Sequence, residues 1–271
     1  RLQLEWRNEC RATMKNLLML LTHVNIELKN PILVEGFPGL GMVGSIATQY
    51  LVNQLKAQKM ATLYSPHFPY HVLVNKKGSA RLLRGEFYFW KNETGENDFI
   101  LLTGDSQAQT IEGQFEVANS ILDFAEKKNV KTVITLGGYR NEIEETPNVV
   151  AVSTNPALFE KALKAMAISS EAGTPIVGTA GLLLGLAKFR KIDALCLLGE
   201  TRGYFPDPKT AKSILEILKG ILVADVDLKG LDEEIERSKE ILGRMQDIEK
   251  RRLKYMEKMR RVEEERMTYI S

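Results

Sequence analysis

Three glycines in the first part of the chain have the spacing of a phosphate-binding turn. Gly39, Gly41 and Gly44 match G-x-G-x-x-G, and they follow Ile32-Leu33-Val34, a branched apolar run with the length of a buried strand. In that setting a pyrophosphate would sit on backbone N–H groups at a helix N-terminus. The rest of the machinery is missing. A nicotinamide site needs an acidic residue about 20 positions further on to hold the ribose hydroxyls, and no Asp or Glu occurs from Ser45 to Gly85. A P-loop needs Gly-Lys followed by Ser or Thr, whereas Gly44 is followed by Ser45 and Ile46. Gly36, Gly39, Gly41 and Gly44 therefore read as a structural glycine loop, whose missing side chains let backbone and helix approach the sheet closely. No cofactor is assigned to it.

Other reactive residues are equally sparse. His23, His67 and His71 have no cysteine nearby and form no His-x-x-x-His helix, so no metal site is expected. There is no Gly-x-Ser-x-Gly elbow, and Ser106 after Asp105 lacks an evident histidine base. Asp105, Arg140, Glu142, Glu200, Arg202 and Asp207 are expected at carboxyl ends of strands, the edge where open α/β sheets bind ligands. They make the best case for an orphan hydrolase or phosphorylase of small metabolites, although Glu200 and Arg202 equally suit a surface ion pair. No catalytic residue is assigned.

The elements that would position these groups have an α/β rhythm. After the glycines, Val43, Ile46, Ala47, Tyr50, Leu51 and Leu55 lie on one face of a helix. Ala61–Tyr64 and His71–Val74 read as short strands, and Arg81–Trp90 as a strand near the sheet edge, separated by the turn Glu93–Asn97 from Phe99–Leu102. Ile111, Phe115, Ala118, Ile121, Leu122 and Ala125 are expected on the buried face of a helix ahead of a strand at Thr132–Leu136. Asn155-Pro156 and Asp207-Pro208 have the N-cap and first-turn proline of helix starts. Strands are expected to end at Gly36, Gly104, Gly137, Gly178 and Gly199. The pattern predicts a three-layer α/β/α domain with a mostly parallel, mixed sheet.

Composition shifts at Leu231. From Asp232 to Arg266 there is no proline, one glycine (Gly243), and alternating acidic and basic residues, the signature of a long helix. Its thin apolar stripe includes Leu242, Met245, Ile248, Leu253, Met256 and Met259, which suits partial burial against another copy of the chain better than a solvated surface. Beyond it, Met267-Thr268-Tyr269-Ile270-Ser271 switches to apolar, β-branched and aromatic types, as a docking peptide would. The expected organisation is a lead-in over residues 1–29, an α/β core over 30–230, a charged helix over 231–266 and a tail over 267–271.

Overall composition narrows the partners. The 37 basic and 35 acidic side chains of the 271 residues nearly cancel, so no net field draws the chain to nucleic acid or to an anionic membrane. Cys10 and Cys196 are too few for a disulfide framework, and no apolar run approaches the roughly 20 residues that span a bilayer. Leu17–Leu21 follows a basic leader but lacks a small-residue cleavage site, so a cytoplasmic protein is expected, with Met14 reading like a natural start and Arg1–Thr13 as upstream sequence.

Pro31-Ile32-Leu33-Val34-Glu35-Gly36-Phe37-Pro38-Gly39-Leu40-Gly41-Met42-Val43-Gly44 closely resembles the N-terminal signature of the proteasome-assembly-chaperone family, in its archaeal branch. Thr135-Leu136-Gly137-Gly138, Gly178–Gly185, Leu198-Gly199-Glu200-Thr201 and Pro206-Asp207-Pro208 resemble its later blocks in order and spacing, from about Asn30 to Glu234. The resemblance implies a fold similar to nucleoside phosphorylases and a non-enzymatic, homo-oligomeric assembly or activating factor. It also implies docking on the α-subunit ring of the 20S proteasome, or on another protein client, through the C-terminal region. Related proteasome-binding tails end in a hydrophobic residue, tyrosine and any residue; here Tyr269 is third from the end and Ile270 penultimate. A coiled-coil adaptor for another partner is the remaining alternative.

Overall fold

The computed structural model describes residues 18–141, 146–222 and 226–240. Chain order begins with strand β1 (Met19–Thr22) and β2 (Ile32–Glu35), the apolar run ahead of the glycines. A single 3-10 turn (Leu40–Met42) then feeds helix α1 (Val43–Gln54). Strands β3 (Gln58–Tyr64), β4 (Val72–Val74), β5 (Ala80–Leu82), β6 (Gly85–Trp90) and β7 (Phe99–Gly104) follow. The second part comprises α2 (Ile111–Lys127), β8 (Thr132–Arg140), β9 (Val149–Ser153), α3 (Pro156–Lys164), β10 (Ile168–Ser169), α4 (Gly178–Phe189), β11 (Asp193–Thr201) and α5 (Pro208–Leu222).

Nine strands form one sheet in the order β1-β3-β6-β7-β2-β8-β11-β9-β10, and β4 and β5 form a separate hairpin. The centre, β7-β2-β8-β11, is parallel, while β1, β3 and β6 on one side and β9 on the other pair antiparallel to their inner neighbours. Strand composition follows coverage: β7 and β8 are buried on both faces and read as continuous apolar runs, whereas β6 alternates, with Gly85, Phe87 and Phe89 buried. Helices α1 and α5 pack together with α3 beside α5 on one face, and α2 packs on α4 on the other, giving three layers.

The helix starts follow their caps. Asn155 Oδ1 accepts from the N–H groups of Ala157 and Leu158 at 2.8 and 3.2 Å, and Asp207 Oδ1 accepts from Thr210 N at 3.0 Å. Between β6 and α2, Phe87 and Phe124 pack at 4.4 Å between ring centroids.

Several expectations are corrected. Arg81–Trp90 is two strands rather than one, and β6 lies inside the sheet, between β3 and β7. Gly137 and Gly199 do not end strands: β8 runs on to Arg140 and β11 to Thr201, paired to their last residues. Gly178 opens helix α4 with a φ of 83° instead of closing a strand. Met19–Thr22 pairs with β3, so part of the expected lead-in belongs to the sheet.

The chain divides into two compact units, residues 1–228 and 229–271. Of the second, residues 229–240 are described and helical, with exposed pairs Arg237–Glu233 and Lys239–Glu236 at 3.0 and 2.7 Å. The continuation of that helix to Arg266, the stripe Leu242, Met245, Ile248, Leu253, Met256 and Met259, and the tail Met267–Ser271 lie outside the described residues.

Candidate functional site

The glycine loop lies where the carboxyl ends of β2, β8 and β11 meet the N-terminus of α1. Its glycines are compelled by backbone proximity: a Cβ on Gly44 would collide with the Leu136 carbonyl, and one on Gly36 with the Gly44 carbonyl and Thr48. Gly41 has a φ of 59°, and a Cβ there would come within 2.5 Å of Thr201 Oγ1. Gly39 is less constrained, with Gln107 Nε2 the nearest neighbour at 3.4 Å.

Two ties hold the loop. Gln107 donates to the Pro38 carbonyl at 2.9 Å and accepts from Thr179 N at 3.0 Å, joining the glycine loop to the first turn of α4. On the other side Asp207 N donates to the Gly41 carbonyl at 2.8 Å. Asp207 Oδ2 accepts from Thr201 Oγ1 at 2.9 Å, so the β11–α5 corner and the loop are one hydrogen-bonded block.

Two carboxylates there have contrasting environments. Glu35 is 1% exposed; its Oε1 accepts from Phe37 N at 2.9 Å, and its Oε2 has no hydrogen-bond partner among the described residues. Burial raises its carboxyl from 4.5 to about 8, against a smaller lowering by the Phe37 N–H. Glu200, also buried, accepts from Tyr139 Oη at 2.8 Å, Asn141 Nδ2 at 2.9 Å, and Asn148 N and Nδ2 at 2.9 and 3.0 Å. Burial works against its charge, but these donors outweigh it and hold the carboxyl below the usual range; the same burial and the bond to Glu200 push Tyr139 up.

The remaining members of the polar set also have structural work. Asp105 is held by Arg81 in a two-point pair, Nη1–Oδ2 at 2.5 Å and Nη2–Oδ1 at 2.9 Å, and Ser106 donates to the Gln107 carbonyl at 3.0 Å. The Arg140 guanidinium lies 5.0 Å from the centroid of the Tyr204 ring. Arg202 lies in the β11–α5 corner, and Glu142 is outside the described residues. Among the described residues, no group of three or more His, Cys, Asp or Glu side chains could hold a metal ion, and no helix is long and apolar enough to cross a membrane.

This edge presents apolar side chains outward beside the exposed Arg140, Asn141 and Arg202. Leu40, Met42, Tyr204 and Phe205 are all exposed on the tied loops, with Leu40 close to Gly203. Such side chains on a pre-organised frame suit contact with a protein surface. Sequence reasoning missed the tie between Gln107, which carries no motif, and Thr179, which it placed only within the Gly178–Gly185 block; the aromatic pair Tyr204-Phe205, flanked by Gly203 and Pro206, was the available signal for an exposed turn.

Comparison with known proteins gives a consistent set of relatives. The PAC2 family profile matches residues 33–246. The structure is similar to Pyrococcus furiosus PbaB, described as an archaeal proteasome activator, at a TM-score of 0.82 and 38% identity, covering 85% of this chain and 99% of that one. It is similar to Pyrococcus furiosus PbaA, described as an archaeal homolog of proteasome-assembly chaperone, at a TM-score of 0.72 and 28% identity over 90% and 97% of the two chains. An uncharacterized protein of Methanocaldococcus jannaschii is 31% identical over 228 residues, 84% of this chain and 87% of its own.

Proposed function

The chain belongs to the PAC2 family, and on that premise we propose that it is a cytoplasmic proteasome-binding factor, acting in assembly or activation through protein contact and without catalysis. The observation that carries this reading is the likeness to PbaB, which extends over 99% of that chain at 38% identity. The use of Asp105, Glu200 and Asp207 in holding loops together supports it too.

The partner is the α-subunit ring of the 20S particle, engaged by Met267, Thr268, Tyr269, Ile270 and Ser271. Tyrosine supplies contact area at low entropic cost, which suits a pocket between ring subunits. The chain acts as a homo-oligomer, with Leu242, Met245, Ile248, Leu253, Met256 and Met259 on a contact between copies, so that several tails engage one ring and weak contacts sum by avidity.

The test measures binding of three proteins to purified archaeal α-rings: the full chain, a chain ending at Arg266, and the Tyr269→Ala variant. The full chain should bind and the other two should bind at least about tenfold more weakly. No binding by the full chain refutes the proteasome reading; undiminished binding by the truncated chain removes the tail from it.

A further inference from the structure

Helix α4 is apolar on every side. Over Gly178–Phe189 the one charged residue is Lys188, and such a composition belongs to a helix covered all round. Yet α4 is not covered all round: Thr179, Leu183, Leu184 and Ala187 are buried against the sheet and α2, Ala180, Leu182 and Leu186 are half-buried against the core, and Gly185, Lys188 and Phe189 are exposed, Phe189 by 86%, with Val177, just before the helix, 82% exposed. Ile111 and Phe115 extend the same apolar surface onto α2.

Gly185 sharpens the question. It stands in the interior of a helix, where glycine costs about 1 kcal/mol relative to alanine, and a Cβ there would meet nothing within 4 Å. Unlike Gly36 or Gly44, it has no reason inside its own fold to lack a side chain. A glycine whose neighbourhood is empty, on an apolar outer face, is accounted for by a backbone that comes close from outside the chain.

We infer that the outer face of α4, centred on Gly185 and flanked by Val177, Leu182 and Phe189, is a two-fold contact with α4 of a second copy, the helices antiparallel. Charge distribution selects this occupant and direction. Helices α2 and α4 run the same way, since Thr179 bonds Gln114 near their N-termini and Arg190 bonds Asp123 and Glu126 near their C-termini. The N-terminal end of the layer carries exposed Glu112 and Glu116, the latter 3.3 Å from His67 Nε2; the C-terminal end carries exposed Lys127, Lys188 and Lys191, its acids Asp123 and Glu126 being met by Arg190. Antiparallel apposition sets acidic end against basic end twice over, as an isologous contact requires, and parallel apposition would set like against like. Phe189 and the exposed part of Phe115, at about 150–250 Å² for a whole aromatic side chain, supply roughly a third of the ~800 Å² per partner that a stable interface buries.

This rests on the homo-oligomer reading above but not on what the oligomer docks on, so its test involves no proteasome. In the full chain with Cys10→Ser, and with Cys196 buried, Gly185→Cys should form a covalent dimer under mild oxidation, because a residue beside a two-fold axis meets its own copy. Lys76→Cys, on the exposed β4–β5 turn, is the control and should not. Gly185→Arg should lower the mass by light scattering and weaken association about 30-fold or more, the scale of a hot-spot residue, with a native circular dichroism spectrum retained because the site is open. Lys188→Glu with Lys191→Glu should weaken association, and adding Glu112→Lys with Glu116→Lys should restore it. Cross-linking no better than the control, or an unchanged mass for Gly185→Arg, overturns the inference.

Discussion

Replacing Glu35 with glutamine should make the protein more stable at alkaline pH and leave it nearly unchanged in acid. The carboxyl is 1% exposed, and burial lifts it from 4.5 to about 8. Below pH 4.5 it carries its proton in both the folded and unfolded chain, so it exerts no penalty there. As pH rises towards 8 the unfolded chain releases the proton while the folded chain keeps it, and stability falls by about 1.4 kcal/mol per pH unit. The loss is complete once pH passes the folded value of about 8, and totals roughly 5 kcal/mol. In Glu35→Gln the side-chain oxygen can still accept from Phe37 N, and the amide nitrogen replaces the protonated oxygen that has no partner. The two proteins should therefore agree within about 1 kcal/mol near pH 4.5, while at pH 8.5 the variant should lead by roughly 5 kcal/mol. Urea unfolding of both proteins at fixed pH values from 4.5 to 9 reads the difference directly, since other titrating groups cancel. A difference that stays flat across that range would refute the assignment of a proton to buried Glu35.

Other substitutions test the packing and bonding of the same edge. Gly44→Ala drives a methyl into the Leu136 carbonyl and should cost about 1–3 kcal/mol by thermal unfolding, against nothing if the loop were free to hold a ligand. Glu200→Ala leaves the Tyr139, Asn141 and Asn148 donors without their acceptor and should destabilise by about 1–3 kcal/mol in urea at pH 7. Titration calorimetry with NAD and with ATP should give no heat, and micromolar binding abolished by Gly41→Val would refute the structural reading of the glycine loop.

Much of this was legible in the residues because local chemistry governed it. The strand into the glycine loop, the helix of α2 and the caps at Asn155 and Asp207 depend on neighbours within a few positions and occur where their patterns imply, although Ile111 and Phe115, expected on the buried face of α2, are exposed. Illegible were features set by distant parts of the chain. Nothing local marks that β8 and β11 continue past Gly137 and Gly199, because the bonds that carry them on come from each other, about 60 residues apart. The short strands β1, β9 and β10 also went unread, since they owe their state to the sheet rather than to propensity. At the candidate site, the residue types of Glu35 and Glu200 are the same; only burial and the count of donors separate a carboxyl held protonated from one held ionised.

The strand order bears on how the chain emerges from the ribosome. Strand β2 sits at the middle of the sheet, yet both its partners are made long after it: β7 starts at Phe99 and β8 at Thr132, while β2 ends at Glu35. At about 5–20 residues per second, its first partner follows after roughly 3–13 s of synthesis. During that interval Ile32, Leu33 and Val34 are an apolar strand with both edges open, followed by an α1 that has no sheet to rest on. The parallel centre can close only when α2 has been made and passed over, so a pause in translation between Gln54 and Phe99 would prolong exposure of this apolar segment, whereas a pause late enough for Arg140 to have left the ribosome would fall when β2 already has both neighbours.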